Sequence, residues 1–432
     1  MTHKIGIGLA GFGTVGAGVY KNLLRNAALL EQRIGVQFEV RKIAVRDLAR
    51  ARDVQAPAEL FTSFPDDLLA DPSIHVVVEL MGGIDIPLAF VKKAIAAGKI
   101  VITGNKALLA EHGREIFELA AEKRVPVFYE AAVAGGIPII KSVREAFVGN
   151  RFEAIHGILN GTSNYILTRM AEAGSDFSTA LKEAKDLGYA EADDRLDVDG
   201  IDAGHKAAIL CLLAYGFLPK FSEIPVEGIR QISSQDVSFA HQLGYVIKLL
   251  AMIKPVGSEQ IEVRVAPSLL PSRHPMASVH GAFNAVGLIG NLSGPVQFTG
   301  RGAGPDATSS ALLADLAEAA KNLCDKAPGP ALPKPSSKMT LIDKNSSVGR
   351  FYVRIEVEDR PGVLAQVAGI FGSEKIGISS VLQPEGRGAG SVPLVFLLEP
   401  ASLSSLQRAV ASICKLPNTR APATILRVED LL

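Results

Sequence analysis

Residues 5–16 read IGIGLAGFGTVG, and this stretch decides the fold. An apolar run typical of a buried strand leads directly into a glycine-rich string that opens a helical pattern. In this context a G-x-G-x-x-G string predicts a dinucleotide site, because its glycines permit a tight turn, close approach of a pyrophosphate and close packing of helix on strand. A glycine-rich turn without a ligand is the alternative. The predicted cofactor-binding residues are Gly11, Phe12, Gly13, Thr14, Val15 and Gly16.

The end of the second predicted strand, Phe38–Val45, should contact the ribose of such a cofactor. An acidic residue there holds the 2′-hydroxyl of NAD, whereas an arginine accommodates the 2′-phosphate of NADP. Arg46 stands at this position and favours NADPH. Asp47 is adjacent and would serve NADH instead, so the sequence leaves use of both cofactors open.

Residues 1–150 alternate short apolar runs with helical patterns, which predicts an α/β domain with a doubly wound, Rossmann-type parallel sheet. Residues 151–324 begin with longer helices and continue with strand-like runs, which predicts a separate α+β domain. The predicted strands of the two domains are Ile5–Ala10, Phe38–Val45, His75–Leu80, Ile100–Thr103, Val125–Tyr129, Val246–Ile253 and Ile261–Ala266, and the helices are Val19–Arg33, Pro87–Ala97, Ala107–Lys123, Ser163–Ala173, Ser178–Leu187 and Ile201–Tyr215.

The last part of the chain has a different composition. Residues 325–348 contain four prolines and little to bury, which predicts an extended linker. Residues 349–432 then follow the order strand, helix, strand, strand, helix, strand, which is typical of a ferredoxin-like βαββαβ domain.

Composition excludes several classes of function. Lys and Arg total 45 and Asp and Glu total 45 over 432 residues, so no net charge attracts nucleic acid. The apolar run at 207–218 is well short of the ~20 residues that cross a bilayer, so we expect no membrane segment. The three cysteines, Cys211, Cys324 and Cys414, suit neither a disulfide framework nor a zinc site, and together with the N-terminal residues they favour a cytoplasmic protein.

Five aspartates lie between residues 193 and 202, just before an apolar helix. Aligned as a calcium loop, the segment puts Arg195 and Lys206 at ligand positions, which excludes calcium. Asp202 and Lys206 are four residues apart and share a helix face. Such a pair is often a plain surface pair, but here the following helix is apolar and indicates the edge of a buried element. We expect His156 and His205 to be structural.

Several further segments carry a family resemblance. These are TGNKALLA at 103–110, YEAAVAGGIPII at 129–140, GILNGTSNYIL at 157–167, GYAEADDRLDVDGIDAGHKAAIL at 188–210 and GRGAGPDATSSA at 300–311. Together with the glycine loop, and in this order, they resemble homoserine dehydrogenase. The tail that begins VEDRPGVL at 357–364 resembles an ACT domain, an amino-acid-sensing module.

The resemblance implies NAD(P)H-dependent interconversion of L-aspartate 4-semialdehyde and L-homoserine, in the biosynthesis of threonine, methionine and isoleucine. It implies Lys206 as proton donor with Asp202 as its neighbour in the mechanism. The implied substrate-binding residues are Glu191, Asp197, Lys106, Gly161 and Thr162; Lys106 and Gly304 would also contact the cofactor. A structural monovalent cation, Na⁺, would bind at Glu130, Val133, Gly135 and Ile137. Gly104 departs from the family's usual Ala and puts nothing catalytic in doubt.

The ACT-like tail implies allosteric control by L-threonine and assembly as a homodimer or homotetramer. Asp359 would take the effector's ammonium group, and the N–H groups near Gly362 its carboxylate. An oligomerising cap without a ligand is the alternative.

Two other functions compete for the whole chain. A dehydrogenase that forms an acyl phosphate needs a nucleophilic cysteine, and no cysteine is suitably placed. A ligand sensor would not need the Asp202, Lys206 and Lys106 set.

Overall fold

The structure is a computed structural model that describes residues 3–52, 54–190, 193–325, 339–385 and 390–431. Glu191 and most of the predicted linker, residues 326–338, lie outside this part of the chain.

The strands are β1 (His3–Ala10), β2 (Val36–Ala44), β3 (Phe61–Thr62), β4 (Val76–Glu79), β5 (Ile100–Thr103), β6 (Val127–Phe128), β7 (Phe152–Ile158), β8 (Tyr245–Val256), β9 (Gln260–Pro271), β10 (Phe283–Gly290), β11 (Gly294–Arg301), β12 (Thr340–Leu341), β13 (Val348–Glu358), β14 (Ile378–Leu382), β15 (Ser391–Ser402) and β16 (Thr424–Val428).

The helices are α1 (Thr14–Arg25), α2 (Ala27–Ile34), α3 (Asp66–Ala70), α4 (Asp85–Ala96), α5 (Lys106–Lys123), α6 (Ile139–Lys141), α7 (Gly161–Ala173), α8 (Phe177–Asp186), α9 (Arg195–Val198), α10 (Ile201–Tyr215), α11 (Ser234–Gln242), α12 (Pro305–Asp325), α13 (Val363–Ser373) and α14 (Leu403–Ile413). Within the described ranges, none of the helices combines the length and the apolar character that a membrane span requires.

The chain forms two compact units. The first comprises Met1–Ile155, Gly204–Glu223 and Asn284–Met339, and the second comprises His156–Ala203, Ile224–Phe283 and Thr340–Leu432. Neither unit is one continuous segment, because the chain passes from one unit to the other several times.

The first unit contains a six-stranded sheet in the order β3-β2-β1-β4-β5-β6, with every pair parallel. Its strands are apolar on both faces, as expected where helices cover both sides. Ile7, Leu9 and Val78 are fully buried in this core, and α12 adds Leu312 and Leu316. The predicted Rossmann-type sheet is confirmed.

One predicted helix differs in the structure. Val19–Arg33 was expected to be continuous, but the chain forms α1 from Thr14 and then α2, with Asn26 between them outside helical geometry (φ −105°, ψ 12°). The first helix starts five residues earlier than its apolar spacing suggests, because the glycine turn ends directly in helical backbone.

The second unit contains a mixed sheet whose strands run in the order β8-β9-β16-β13-β15-β14. β9 pairs with β8 in antiparallel and with β16 in parallel orientation, and the pairs among β13, β14, β15 and β16 are antiparallel. Helices α13 and α14 cover this last part through a core that includes Phe351, Phe371, Phe396, Leu406 and Ile413.

Candidate active site

The glycine turn between β1 and α1 is fixed by close backbone contacts. Gly11 has φ +107°, and a Cβ there would lie 2.4 Å from the carbonyl oxygen of Leu80. A Cβ on Gly16 would lie 2.3 Å from the carbonyl oxygen of Gly11. Both glycines are therefore required by the fold itself, for the tight turn and for helix packing.

Gly13 differs from its two neighbours. It is the N-cap of α1, and a Cβ there would meet no atom within 4 Å. Among the described residues, no side chain caps the first turn, which begins with Thr14 and Val15 and contains no acidic residue. The N-terminus of α1 therefore presents N–H groups and open space, an arrangement that suits a phosphate group. Phe12 is buried beneath the turn, against Tyr20 and Phe61.

The late glycine loop lies beside the same helix. Gly304 has φ +112° with open space at its Cβ position and directly precedes α12. A Cβ on Gly18 of α1 would lie 3.0 Å from Cβ of Pro305, and Asn22 Nδ2 donates to Asp306 Oδ1 at 2.9 Å. The structure therefore brings the two glycine-containing segments of the predicted cofactor site together.

Arg46 and Asp47 follow β2 and are both exposed. Asp47 Oδ1 accepts the N–H of Ala49 at 2.8 Å, and the carbonyl of Asp47 accepts from Arg52, whose guanidinium lies 4.9 Å from the centre of the Phe61 ring. The Asp47 carboxylate thus stabilises its own turn. Arg50 and Arg52 are further cations in this loop that sequence analysis did not single out.

Lys106 is half-buried at the first position of α5. The preceding residue, Asn105, caps the helix by accepting the N–H of Leu108 at 3.1 Å. The Asn105 N–H bonds to Thr103 Oγ1 at 3.0 Å, and the Thr103 hydroxyl donates to Glu79 at 2.7 Å. Burial raises the pKa of Glu79, which lies at the carboxyl end of β4. A run of apolar residues before Glu79 was the only signal in the sequence for this buried acid.

The structure divides the five aspartates of the acidic segment into two groups. Three of them pair with cations of the second unit: Asp193 with Arg195, Asp194 with Lys185 and Arg230, and Asp199 with Arg230. The hydrogen bonds from Arg195 lower the pKa of Asp193 to about 2. These three carboxylates therefore form ion pairs that stabilise the acidic segment.

The other two aspartates meet at Asn160, which sequence analysis did not single out. Asn160 Nδ2 donates to Asp197 Oδ1 at 2.7 Å and to Asp202 Oδ2 at 3.0 Å. Its Oδ1 accepts the N–H of Ser163 at 2.8 Å and so caps α7. A neutral amide thus holds two acids side by side. An asparagine just before a helix is an N-cap signal, but nothing local predicts its acidic partners.

The remaining predicted substrate residues surround this amide. Gly161 is the first residue of α7, and the buried Thr162 donates its hydroxyl hydrogen to the carbonyl of Tyr189 at 2.7 Å. Ser163 donates to the carbonyl of Asp197 at 2.7 Å. The NGT turn and Asp197 are therefore part of one hydrogen-bonded cluster within the second unit.

Asp202 and Lys206 lie one turn apart at the start of α10, with relative exposures of 5% and 7%. Burial of an ammonium group is costly and occurs mostly where it has a role or a partner. His205 is also buried, with its ring 4.3 Å from that of Phe221. Burial lowers the pKa of His156 to about 4, with a further contribution from His274.

Glu130 organises the loop predicted to hold a cation. Its carboxylate accepts the N–H groups of Ile140 and Lys141, each at 2.8 Å. Its own N–H donates to Asp315 at 3.0 Å. Burial, followed by the charge of Glu130, raises the pKa of Asp315 well above its usual range, and burial raises that of Glu130 as well. Asp315 had no distinguishing signal in the sequence.

Comparison with known proteins agrees with this geometry. The family model described as "Homoserine dehydrogenase, NAD binding domain" matches residues 11–130, and "Homoserine dehydrogenase" matches 138–317. The homoserine dehydrogenase of Pseudomonas aeruginosa is 41% identical over 98% of this chain and 99% of its own, and that of Neisseria gonorrhoeae is 40% identical over 99% of each.

Two solved structures are also similar. A homoserine dehydrogenase from Thiobacillus denitrificans has a TM-score of 0.93 and 39% identity, covering 99% of both chains. A hyperthermophilic archaeal homoserine dehydrogenase in complex with NADPH has a TM-score of 0.63 and 28% identity, covering 76% of this chain and 99% of its own. A parallel nucleotide-binding sheet, the buried Asp202 and Lys206, and relatives matched over their full length lead to one conclusion: this chain belongs to the homoserine dehydrogenase family of NAD(P)-dependent oxidoreductases.

Proposed function

We propose that Lys206 is the proton donor when this enzyme reduces L-aspartate 4-semialdehyde to L-homoserine. The carrying observation is that Asn160 Nδ2 donates to both Asp197 and Asp202, which holds two carboxylates side by side at the start of the helix that carries Lys206. Two carboxylates in this position suit the ammonium group of an amino-acid substrate. A substrate that carries an ammonium group needs carboxylates to bind it when the neighbouring proton donor is itself a cationic lysine.

The chemistry assigns separate tasks to the two ends of the substrate. A nicotinamide cofactor, when bound at the glycine turn, supplies hydride to the aldehyde carbon. The aldehyde oxygen then gains negative charge, which Lys206 stabilises and neutralises by donating a proton from Nζ. Asp202, one turn earlier, keeps the lysine protonated and oriented. Asp197 binds the substrate ammonium together with Glu191, and Gly161 and Thr162 shape the turn that holds it.

For the cofactor we propose NADPH. Gly11, Gly13, Gly16 and Gly304 would hold the pyrophosphate, with Lys106 near the nicotinamide. Arg46 is exposed at the end of β2 and would bind the 2′-phosphate, and Arg52 adds a further positive charge to the same loop. Asp47 already accepts a hydrogen bond within its turn, which disfavours its use for the 2′-hydroxyl of NADH.

We also propose a structural Na⁺ at the loop of Glu130, Val133, Gly135 and Ile137. The Glu130 carboxylate is already bonded to two N–H groups, so the ion would be held by main-chain carbonyls. Ala134 and Gly135 have φ of 55° and 47°, which curls the loop. Among the described residues no cluster of three or more acidic, His or Cys side chains could hold a metal. The buried Glu130 and Asp315 would favour a monovalent cation nearby.

The C-terminal part is proposed to be an ACT domain that senses L-threonine. In its support, the order β13-α13-β14-β15-α14-β16 and the antiparallel sheet order β16-β13-β15-β14 match a ferredoxin-like unit. Gly362 has φ +90° and is the N-cap of α13, and Asp359 is exposed beside it. The edge strand β14 would pair with a second copy, in a homodimer or homotetramer.

The proposed domain organisation is a cofactor domain at 1–150, a catalytic domain at 151–324, a linker at 325–348 and the ACT domain at 349–432. Within the linker, the described β12 pairs with β9.

A cytoplasmic location is proposed, in keeping with three free cysteines. Burial raises the pKa of the Cys211 thiol, which argues against the rival acyl-phosphate chemistry at that cysteine.

The experiment is an activity screen on the purified chain with L-aspartate 4-semialdehyde, each cofactor, and L-threonine present or absent. We expect faster turnover with NADPH than with NADH, homoserine as product, and inhibition by L-threonine. Gly362→Asp should remove the inhibition and keep turnover, whereas Gly98→Asp, at another open position with positive φ, should change neither. Inhibition that survives Gly362→Asp would contradict the effector site.

A further inference from the structure

A cavity of about 90 Å³ lies along one edge of β9 in the second unit. Three short segments pair with this edge in turn: β12 near its start, Val226 at Val265, and β16 near its end. The cavity lies among them, and α14 adds Leu403 and Gln407 to its wall. A single water needs roughly 10–15 Å³, so the space suits a small organic molecule. None of the residues assigned above to the reaction or to threonine lines it.

Arg264 lines the cavity and is buried, with 4% exposure. Its Nε donates to Glu262 at 2.9 Å and its Nη2 to Glu429 at 2.5 Å. Its Nη1 is buried and has no hydrogen-bond partner among the described residues. A buried charged N–H without an acceptor destabilises the fold, and an acceptor supplied by a ligand would remove that cost.

A second guanidinium, that of Arg427, lines the same cavity. It lies over the Phe351 ring, 5.2 Å from the centroid. Burial lowers the pKa of Arg427, and the like charge of Arg264 lowers it further. Lys344, which is exposed, adds a third cation to the lining. The charges of Glu262, Glu429 and Glu227 offset part of this repulsion, and a further anion in the cavity would add to that stabilisation.

We propose that this cavity binds a small carboxylate, held by Arg264 Nη1 and by Arg427. Planar guanidinium groups match a carboxylate in size and in hydrogen-bond direction. Glu262 accepts from Nε and Glu429 from Nη2 of Arg264, so these two contacts orient the guanidinium without using Nη1. The inference goes beyond the proposed function, since it adds a ligand site apart from the Asp359–Gly362 turn.

The ligand that carries the carboxylate is either a simple organic acid or an amino acid. Glu227 is exposed in the cavity lining and would bind the ammonium group of an amino acid. Acetate and L-alanine are therefore the two probes, with inorganic phosphate as a third anion of different shape.

The test is isothermal titration calorimetry on the full chain in carboxylate-free buffer, with folding checked by circular dichroism. We expect saturable binding of a carboxylate, weakened about 10- to 100-fold by Arg427→Gln, the usual effect of losing a charge-assisted hydrogen bond. Arg350→Gln is the matched control, because Arg350 bonds to Asp430 at 3.0 Å and does not line the cavity. Its affinity should equal that of the unmodified chain.

Arg264→Lys keeps the buried charge but removes Nη1, and it should also lose carboxylate binding. If Glu227→Gln weakens L-alanine alone, the ligand is an amino acid; if it changes neither probe, the ligand is a simple acid. Both results support the proposal. Absence of saturable carboxylate binding, tighter binding of phosphate than of either carboxylate, or full affinity in folded Arg427→Gln would overturn it.

Discussion

Two buried lysines of this protein, Lys206 and Lys248, differ in what surrounds them. Lys248, on β8, is 1% exposed, and its ammonium donates to the carbonyl of Val279 at 2.6 Å and to Asn164 Oδ1 at 3.0 Å. The amide of Asn164 donates in turn to the carbonyls of Val279, Gly281 and Phe283, at 2.9–3.1 Å. Lys248 therefore joins α7, β8 and a loop that are far apart in sequence.

Lys206 is 7% exposed but lies one turn after Asp202 on the same helix. Asp202 converges with Asp197 on the amide of Asn160. We propose that the burial of Lys206 serves the reaction, whereas the contacts of Lys248 hold separate segments of the fold together. The comparison teaches that burial alone does not distinguish a functional lysine from a structural one.

The largest effect on activity is expected from Lys206→Ala. We expect kcat to fall by about 10²- to 10⁴-fold, the usual contribution of a positioned acid, with the affinity for NADPH nearly unchanged. The urea midpoint should stay close to that of the unmodified enzyme. Steady-state kinetics and cofactor titration test this, and near-normal turnover would refute the role of Lys206.

Lys248→Met is the reciprocal change. It removes the donor to Asn164 Oδ1 and one of the two donors to the Val279 carbonyl, so we expect a loss of about 2–4 kcal/mol in the free energy of unfolding. The folded enzyme should keep its kcat. Urea denaturation measures the loss, and Lys206→Ala is the control in the same assay. A catalytic defect without a stability defect in Lys248→Met would reverse the assignments.

Arg46→Ala extends the comparison to an exposed cation whose proposed partner is a ligand. We expect NADPH binding to weaken by roughly 1.5–3 kcal/mol, with NADH much less affected and stability unchanged. Arg33→Ala, an exposed arginine on α2, serves as the control. Equal losses for both cofactors would show that Arg46 does not recognise the 2′-phosphate.

The last expected effect is the pH dependence of stability at Lys248. Burial lowers its pKa to about 8 from an ordinary 10.5, so between these values the unfolded chain binds more protons than the folded chain. The contribution of Lys248 to stability should therefore rise with pH by about 3 kcal/mol across the whole window, and Lys248→Met should lack the rise. Urea midpoints at several pH values test the sign. A parallel pH dependence in both proteins would contradict it.

The sequence predicts best what short-range patterns determine. The glycine turn, the strand β5 and the helix α5 follow from local periodicity and turn chemistry, and the structure has them within one or two residues of the expected bounds. The break between α1 and α2 was missed, because Asn26 interrupts an apolar spacing that continues on both sides.

The candidate site was only partly predictable. The pattern at 193–202 marks an acidic segment, but which aspartates pair with Lys185 and Arg230 and which converge on Asn160 is decided by contacts that form only in the fold. Asp315 and Lys248 are buried titratable groups on elements whose other buried residues are mostly apolar. Their partners come from segments that are distant in sequence, and such contacts cannot be predicted from a single sequence.

The most direct test of the central claim, that an amine at position 206 donates the proton, is chemical rescue of Lys206→Cys. Alkylation of the new thiol with 2-bromoethylamine displaces bromide and restores an amine at nearly the same reach. Unmodified enzyme treated in the same way controls for reaction at the exposed Cys324 and Cys414. We predict that turnover with L-aspartate 4-semialdehyde falls in Lys206→Cys to the level of Lys206→Ala and recovers after alkylation. Near-normal turnover before alkylation, or no recovery in protein whose modification at position 206 is confirmed by mass, would contradict the account.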